Sequence, residues 1–344
     1  MQTTFKLFFS CLFGLTLTLL SGCGGSGGGG MFTESAPSLT PAEQAEVNKI
    51  FSEHGTKAIT RYMETVNENT DKNRVLKYLK FFVSQGADVN VKVGDASTTP
   101  LHTVVFADNI DAIKFLVSKG ADVNGKDNYG HGDTPLYSAV SVGNIEVVKF
   151  LVSKGADANA KRRDGDSIPF LIAALARRGD EPNFEIAEFL VSKGADVNVS
   201  DGRGMFPLAL ATATANVKFA ELLVAKGADV NAKGEGGVTP LHWALIRDYY
   251  GPNSRPMYGD EIEIIKFLIS KGADVNAKED SGQTPLFRAI ICERDVETIK
   301  LLISKGADVN VKDNYGGTPL DAANSENTTI IEYLKSVGAK SGKE

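Results

Sequence analysis

Short runs of apolar residues at helical spacing recur along this chain, and each is closed by the same polar phrase. Val75, Leu76, Tyr78, Leu79, Phe81 and Phe82 form one such stripe, which leads into Gly-Ala-Asp-Val-Asn at Gly86–Asn90. The phrase returns at Gly120–Asn124, Gly194–Asn198, Gly227–Asn231, Gly272–Asn276 and Gly306–Asn310, and at Gly155–Asn159 with Ala158 in place of valine. The steps between successive glycines are 34, 35, 39, 33, 45 and 34 residues. Ahead of the phrase stand Phe115-Leu116, Phe150-Leu151, Phe189-Leu190, Phe267-Leu268 and Leu301-Leu302, predicted on the buried stripe of a helix. A second phrase keeps the same beat, Thr-Pro-Leu at Thr99, Thr134, Thr239, Thr284 and Thr318, with degenerate forms at Ile168–Phe170 and Phe206–Leu208. Threonine suits an N-cap and proline the first helical position, where no amide is needed. Leu101, Leu136, Leu208, Leu241, Leu286 and Leu320 then point into a core between repeats. Each period therefore predicts two short helices, the second ended by a left-handed glycine. Asp and Asn, whose side chains bond loop backbone, hold the following turn. A fixed period in the thirties predicts stacked units.

Before the first phrase, Thr40-Pro41 opens a predicted helix with Val47, Ile50 and Phe51 on one face. Ala58, Ile59, Tyr62, Met63 and Val66 carry a second stripe. Residues 42–69 are expected to close the apolar N-terminal end of the stack, and residues 70–340 to form the array. The last unit, with Ile330, Ile331, Tyr333 and Leu334, ends without Asp-Val-Asn and reads as the C-terminal cap. Residues 341–344 are expected to fray.

The formal net charge of −6 argues against nucleic acid, which wants a basic surface. The three cysteines, Cys11, Cys23 and Cys292, have neither metal-ligand spacing nor a disulfide framework. One aspartate per repeat, each in a turn, cannot converge on one ion. No cofactor or metal is expected, and the array is expected to be monomeric.

Thr-Pro-Leu-His, then a second helix ending Gly-Ala-Asp-Val-Asn, resembles the ankyrin repeat. The resemblance covers about residues 70–340, with its best copies at 95–124, 127–159 and 279–310. It implies an all-α repeat solenoid of about seven ankyrin repeats, each a helix-turn-helix plus a hairpin loop, behind the N-terminal helical cap. It implies that His102 and His242 bond between neighbouring repeats, that first helices line a concave face, and that the chain binds a protein and is not an enzyme. Trp243 lies in a first helix and suits either that face or the core. Cys292 is read as packing.

The N-terminus carries a second resemblance. Lys6 precedes an apolar run, Leu7–Leu20, about as long as a signal-peptide core and short for a membrane span. Leu20-Ser21-Gly22-Cys23 looks like a bacterial lipobox. That resemblance implies removal of residues 1–22 and lipidation of Cys23, which would hold the protein on a bilayer in the cell envelope. Residues 23–41, glycine-rich through Gly30, then form a tether. Gly24, not aspartate, after the cysteine points by the same resemblance to the outer membrane, with neither face specified. An ordinary cleaved signal, giving a soluble periplasmic or secreted binder acting on a host protein, is the alternative.

Two interruptions of the period are candidate binding elements, because insertions in such arrays collect on one face. Arg177–Asn183 adds about five residues and Asp248–Glu261 about twelve against the normal repeat. The second holds Tyr249, Tyr250, Arg255, Met257 and Tyr258, a composition suited to a binding hot spot or to covering its own repeat. Hairpin tips add Tyr129, Arg162, Arg163 and Tyr315, where solvated surface is the plain reading and exposed tyrosines are the best anchors. The rival from another class is an enzyme or metal site at 248–263, with Asp248, Asp260, Glu261 and Glu263 near His242. Acidic residues at a helix start are expected on dipole grounds alone.

Overall fold

The computed structural model describes residues 39–94, 97–128, 132–160, 183–200, 204–246 and 261–343. They lie in one compact unit, residues 38–344. The described residues are helical, without a β-strand; Val93 and Thr98 make one isolated bridge. The helices are α1 (Pro41–His54), α2 (Ala58–Met63), α3 (Lys72–Ser84), α4 (Pro100–Phe106), α5 (Ile110–Ser118), α6 (Pro135–Val142), α7 (Ile145–Ser153) and α8 (Phe184–Ser192). After them come α9 (Pro207–Ala213), α10 (Val217–Ala225), α11 (Pro240–Trp243), α12 (Glu261–Ser270), α13 (Pro285–Ile291), α14 (Val296–Ser304), α15 (Pro319–Ala322) and α16 (Thr328–Ser336).

The capping chemistry sets these boundaries. Thr99, Thr134, Thr239, Thr284 and Thr318 are extended N-caps with proline following, as expected. Second helices take a different cap. Asn109, Asn144, Asn183, Asn216 and Asn327 each accept backbone amides of the first turn, as do Asp71 and Asp295. At the far end of α5, Gly120 N–H donates to Val117 O (3.1 Å) and Ala121 N–H to Leu116 O (3.0 Å). This is the Schellman ending, and it needs a left-handed residue at 120. Gly120 has φ +89° with open space where a side chain would go, so backbone angle and not crowding demands glycine.

First helices stack on first helices and second on second. α2 packs on α4, α4 on α6, α9 on α11, α11 on α13 and α13 on α15. In the second row α3 packs on α5, α7 on α8, α8 on α10 and α10 on α12. Among the described residues seven helix pairs are complete, beginning with α2–α3, and α8 is a second helix on its own. α1 lies against both α2 and α3 and is tied to α3 through Glu46, which accepts from Arg74 Nη2 and from Tyr78 Oη (2.6 Å).

Leu101, Leu136, Leu208, Leu241 and Leu286 are buried between pairs as expected, while Leu320 in the last pair is only half-buried. Of the apolar pairs on second helices, the second member is fully buried: Leu116, Leu151, Leu190, Leu268 and Leu302. Their first members sit higher, and most are half-buried. Phe115, Phe150, Phe189 and Phe267 each lie under the lysine that caps their own helix, with Nζ 5.6–5.8 Å from the ring centre. These rings are shared between core and a cation–π contact at the edge. In the C-terminal tail, Ser341 Oγ and Gly342 N–H both donate to Asp321 (2.7 Å each).

Candidate interaction surface

The recurrent phrase is consumed in holding the repeats to each other. In each copy the aspartate bonds locally: Asp122 Oδ1 accepts from Asn124 N–H at 2.9 Å, closing an Asx turn. The asparagine reaches across to the next copy. Asn124 Nδ2 donates to Gly155 O (2.9 Å), and Asn124 Oδ1 accepts from Asp157 N–H (2.8 Å). The same pair of bonds is made by Asn90, Asn159, Asn198, Asn231 and Asn276 to the phrase that follows each. Asn310 makes it to Gly338 O and Lys340 N–H. The result is a continuous ladder of paired side chain–backbone bonds. A second, thinner ladder runs beside it, in which Lys92, Lys278 and Lys312 donate to the carbonyls of Lys126, Lys312 and Gly342 (2.7, 3.1 and 2.9 Å).

The motif histidines are structural too. His102 Nδ1 accepts from Thr99 N–H at 3.2 Å, so the proton sits on Nε2, which donates to Asp133 O of the next repeat (3.0 Å). His242 accepts from Thr239 N–H in the same way, and its buried Nε2 faces the backbone of Gln283 in the next repeat. Burial holds both imidazoles below their ordinary range, His242 down to about 4. Both are therefore neutral at physiological pH.

Of the residues singled out for binding, Tyr315 lies within the described residues. Its tip is a pinned turn: Asp313 Oδ1 accepts from Tyr315 N–H and Gly317 N–H (2.9 Å each), and Asp313 N–H donates back to Gly317 O (2.9 Å). The tip is also fastened to the one before it. Asn314 N–H donates to Ser281 O (3.0 Å) and Asn314 Nδ2 to Asp280 O (2.8 Å). Asp280 N–H in turn donates to Gly236 O (2.8 Å). Gly282, at φ +83°, lies so close to Asn314 that a Cβ there would collide with its side chain. On this rigid base the Tyr315 side chain is 88% exposed. Phe106 and Ile291, at the ends of first helices α4 and α13, are further exposed apolar side chains, at 61% and 44%.

Tyr129, Arg162, Arg163, Tyr249, Tyr250, Arg255, Met257, Tyr258 and Cys23 lie outside the described residues, as do Asp248 and Asp260. What frames the second insertion is visible. Arg294, 6% exposed and belonging to the next helix pair, donates from Nε to Leu245 O and from Nη2 to Ala244 O (3.1 Å each). Its Nη1 donates to Glu261 (2.5 Å). One guanidinium thus joins the residues on either side of 247–260, a contact the sequence pattern did not reveal. Glu261, a member of the suggested catalytic cluster, is engaged in this ion pair. Among the described residues no group of three or more His, Cys, Asp or Glu side chains could hold a metal ion. No described helix is long and apolar enough to cross a membrane. Cys292, at the end of α13, is half-buried and is not in a disulfide.

The family model of ankyrin repeats matches this chain in three stretches, residues 63–162, 171–251 and 257–343. No match was found among curated proteins.

Proposed function

This chain belongs to the ankyrin-repeat family, and from that premise we propose that it is a protein-binding module carried by a lipid-anchored protein of the bacterial cell envelope. Repeats of this family are protein-interaction units, and in this chain the motif residues are spent on the ladder. What remains for a partner is the side chains that differ from repeat to repeat. The observation that carries the reading is Tyr315. A large amphipathic ring stands almost fully in solvent on a tip already fixed by six hydrogen bonds, so little conformational freedom is lost when a partner covers it. Tyr129 in the sister phrase Lys126–Gly130, Arg162 and Arg163 at the next tip, and Tyr249, Tyr250, Arg255, Met257 and Tyr258 in the second insertion complete the proposed surface. Arg294 fixes where that insertion leaves and rejoins the array.

The array in this reading has α1 as its N-terminal cap, with the seven complete helix pairs and the second helix α8 behind it. The packing of α2 on α4 favours a start near Ala58 over one at residue 70. The anchor is Cys23: acyl chains there bury methylenes at about 0.8 kcal/mol each, and two or more give stable attachment. Outer-membrane placement rests on Gly24 alone.

A photo-crosslinking amino acid placed in cells at Tyr315, Tyr129 or Tyr250 tests the binding surface. A discrete protein adduct from at least one of them is expected; none from any, with folded protein confirmed, overturns it. Metabolic labelling with a fatty acid tests the anchor separately. Label is expected on the wild-type chain and absent from Cys23→Ser.

A further inference from the structure

One rung of the asparagine ladder is chemically unlike the rest. The residue after the rung asparagine is Val91, Ala160, Val199, Ala232, Ala277 or Val311 in six copies, and Gly125 in the copy at Asn124. Asn124-Gly125 is the one Asn-Gly pair in the whole chain. The backbone does not ask for glycine there. Gly125 is absent from the left-handed residues, and a Cβ on it would meet Asp122 O at an ordinary 3.4 Å. A side chain at this place shields the following amide nitrogen from the asparagine carbonyl carbon, and glycine removes that shield while freeing the backbone to close a ring.

We infer that Asn124 is a spontaneous deamidation site and that its conversion loosens the array between the α4–α5 and α6–α7 pairs. Gly125 N, held only by a long bond to Asp122 O (3.3 Å), attacks Asn124 Cγ when the turn opens. The new N–Cγ bond forms, the Cγ–Nδ2 bond breaks, and the nitrogen leaves as ammonia with the proton from Gly125 N. Water then adds to either carbonyl of the five-membered imide and opens it to aspartate or isoaspartate, with no change of oxidation state. Asn124 is exposed, so water reaches it.

The consequence follows from what the amide does in the ladder. Nδ2 donates to Gly155 O at 2.9 Å, while Oδ1 accepts from Asp157 N–H at 2.8 Å. In aspartate the donor becomes a carboxylate oxygen facing a carbonyl oxygen, so one bond turns into repulsion. Isoaspartate in addition lengthens the backbone by one carbon after Asn124 Cα and displaces Gly125 N–H, which donates to Asp122 O. Local weakening in a stacked array is felt at one nearest-neighbour interface, so the lesion defines a place of parting.

The test uses the full chain, aged in mildly alkaline buffer and mapped by peptide mass spectrometry with isoaspartyl detection. Acid product at position 124 is expected to accumulate ahead of the other six rung asparagines, and Gly125→Ala to abolish the lead. In parallel, Asn124→Asp is expected to lower the thermal midpoint and open a new protease cut between α5 and α6, while Gly125→Ala keeps the wild-type pattern. No lead at position 124, or a lead that survives Gly125→Ala, overturns the site. An Asn124→Asp chain as stable and as protease-resistant as wild type overturns the loosening.

Discussion

The smallest unit that explains this molecule is one asparagine with two bonds to the neighbouring repeat. Removing it at an exposed edge leaves a backbone carbonyl and an amide to water, so Asn231→Ala is expected to cost about 1–2 kcal/mol at the two-bond scale. Chemical unfolding of the purified chain checks this. Asn231→Asp should be worse than alanine, because its oxygen opposes Gly272 O. The buried histidines give a pH dependence of definite sign. His242 is pushed down to about 4 in the folded chain by burial, so the unfolded chain binds more protons than the folded one at pH values below the ordinary range. Stability is therefore whole above about pH 6.5, falls as pH drops toward 4 and flattens below it, with up to about 3 kcal/mol at stake. His102 shifts in the same direction. Denaturation midpoints measured across that range should show a shallower acid limb for His242→Gln than for wild type. The residue scale is also where sequence and structure part. The aspartate turn was legible because its partner is two residues away. The asparagine recurs just as plainly, but its partner lies about one period along the chain, and only the stacked repeats show it.

Elements are set by caps and by the contacts that fasten them. The apolar stripes and the Thr-Pro and Gly-Ala signals gave helix pairs at the right places, since each signal is local. Arg294 was not legible: it lies in the pair after the insertion, and nothing nearby in sequence marks a guanidinium aimed at Ala244, Leu245 and Glu261. Arg294→Ala leaves a half-buried carboxylate and two carbonyls without their donor, and is expected to destabilise by about 3 kcal/mol, as for breaking a buried pair. Thermal unfolding of Arg294→Ala, Glu261→Gln and the double variant should show coupling between the two sites. At the other end Asp321 accepts from Ser341, Gly342 and Thr318, and those bonds hold its carboxyl far below the usual range. In Asp321→Asn the Gly342 amide is expected to exchange its hydrogen faster than in the wild-type chain, as hydrogen-exchange measurement would show. These bonds were not legible in the tail's composition, because the acceptor lies some twenty residues earlier.

At the scale of the whole molecule the ladder joins successive helix pairs, from Asn90 at one end to Asn310 at the other. A stacked array was readable from the period alone, because a repeat announces itself without any knowledge of its contacts, and the ankyrin class came from the motif's resemblance. The candidate surface was read from departures from that period and from the tyrosines and arginines of the hairpin tips. Tyr315 is an exposed ring on a fixed tip, and the reason it is fixed, the tip-to-tip bonds through Asp280 and Asn314, lies in residues that look like ordinary polar loop. A stacked array behaves as a chain of units coupled to their neighbours, and its unfolding stays concerted while every interface holds. The account rests on the ladder being that coupling. The direct test is equilibrium urea unfolding of the full chain and of Asn198→Ala, which removes the rung from the turn after α8 to the turn after α10, followed by circular dichroism. Wild type is expected to unfold in one transition and Asn198→Ala in two, separated at that rung. A single transition in both, shifted no further than by Lys226→Ala at the exposed end of α10, would contradict the ladder as the coupling between repeats.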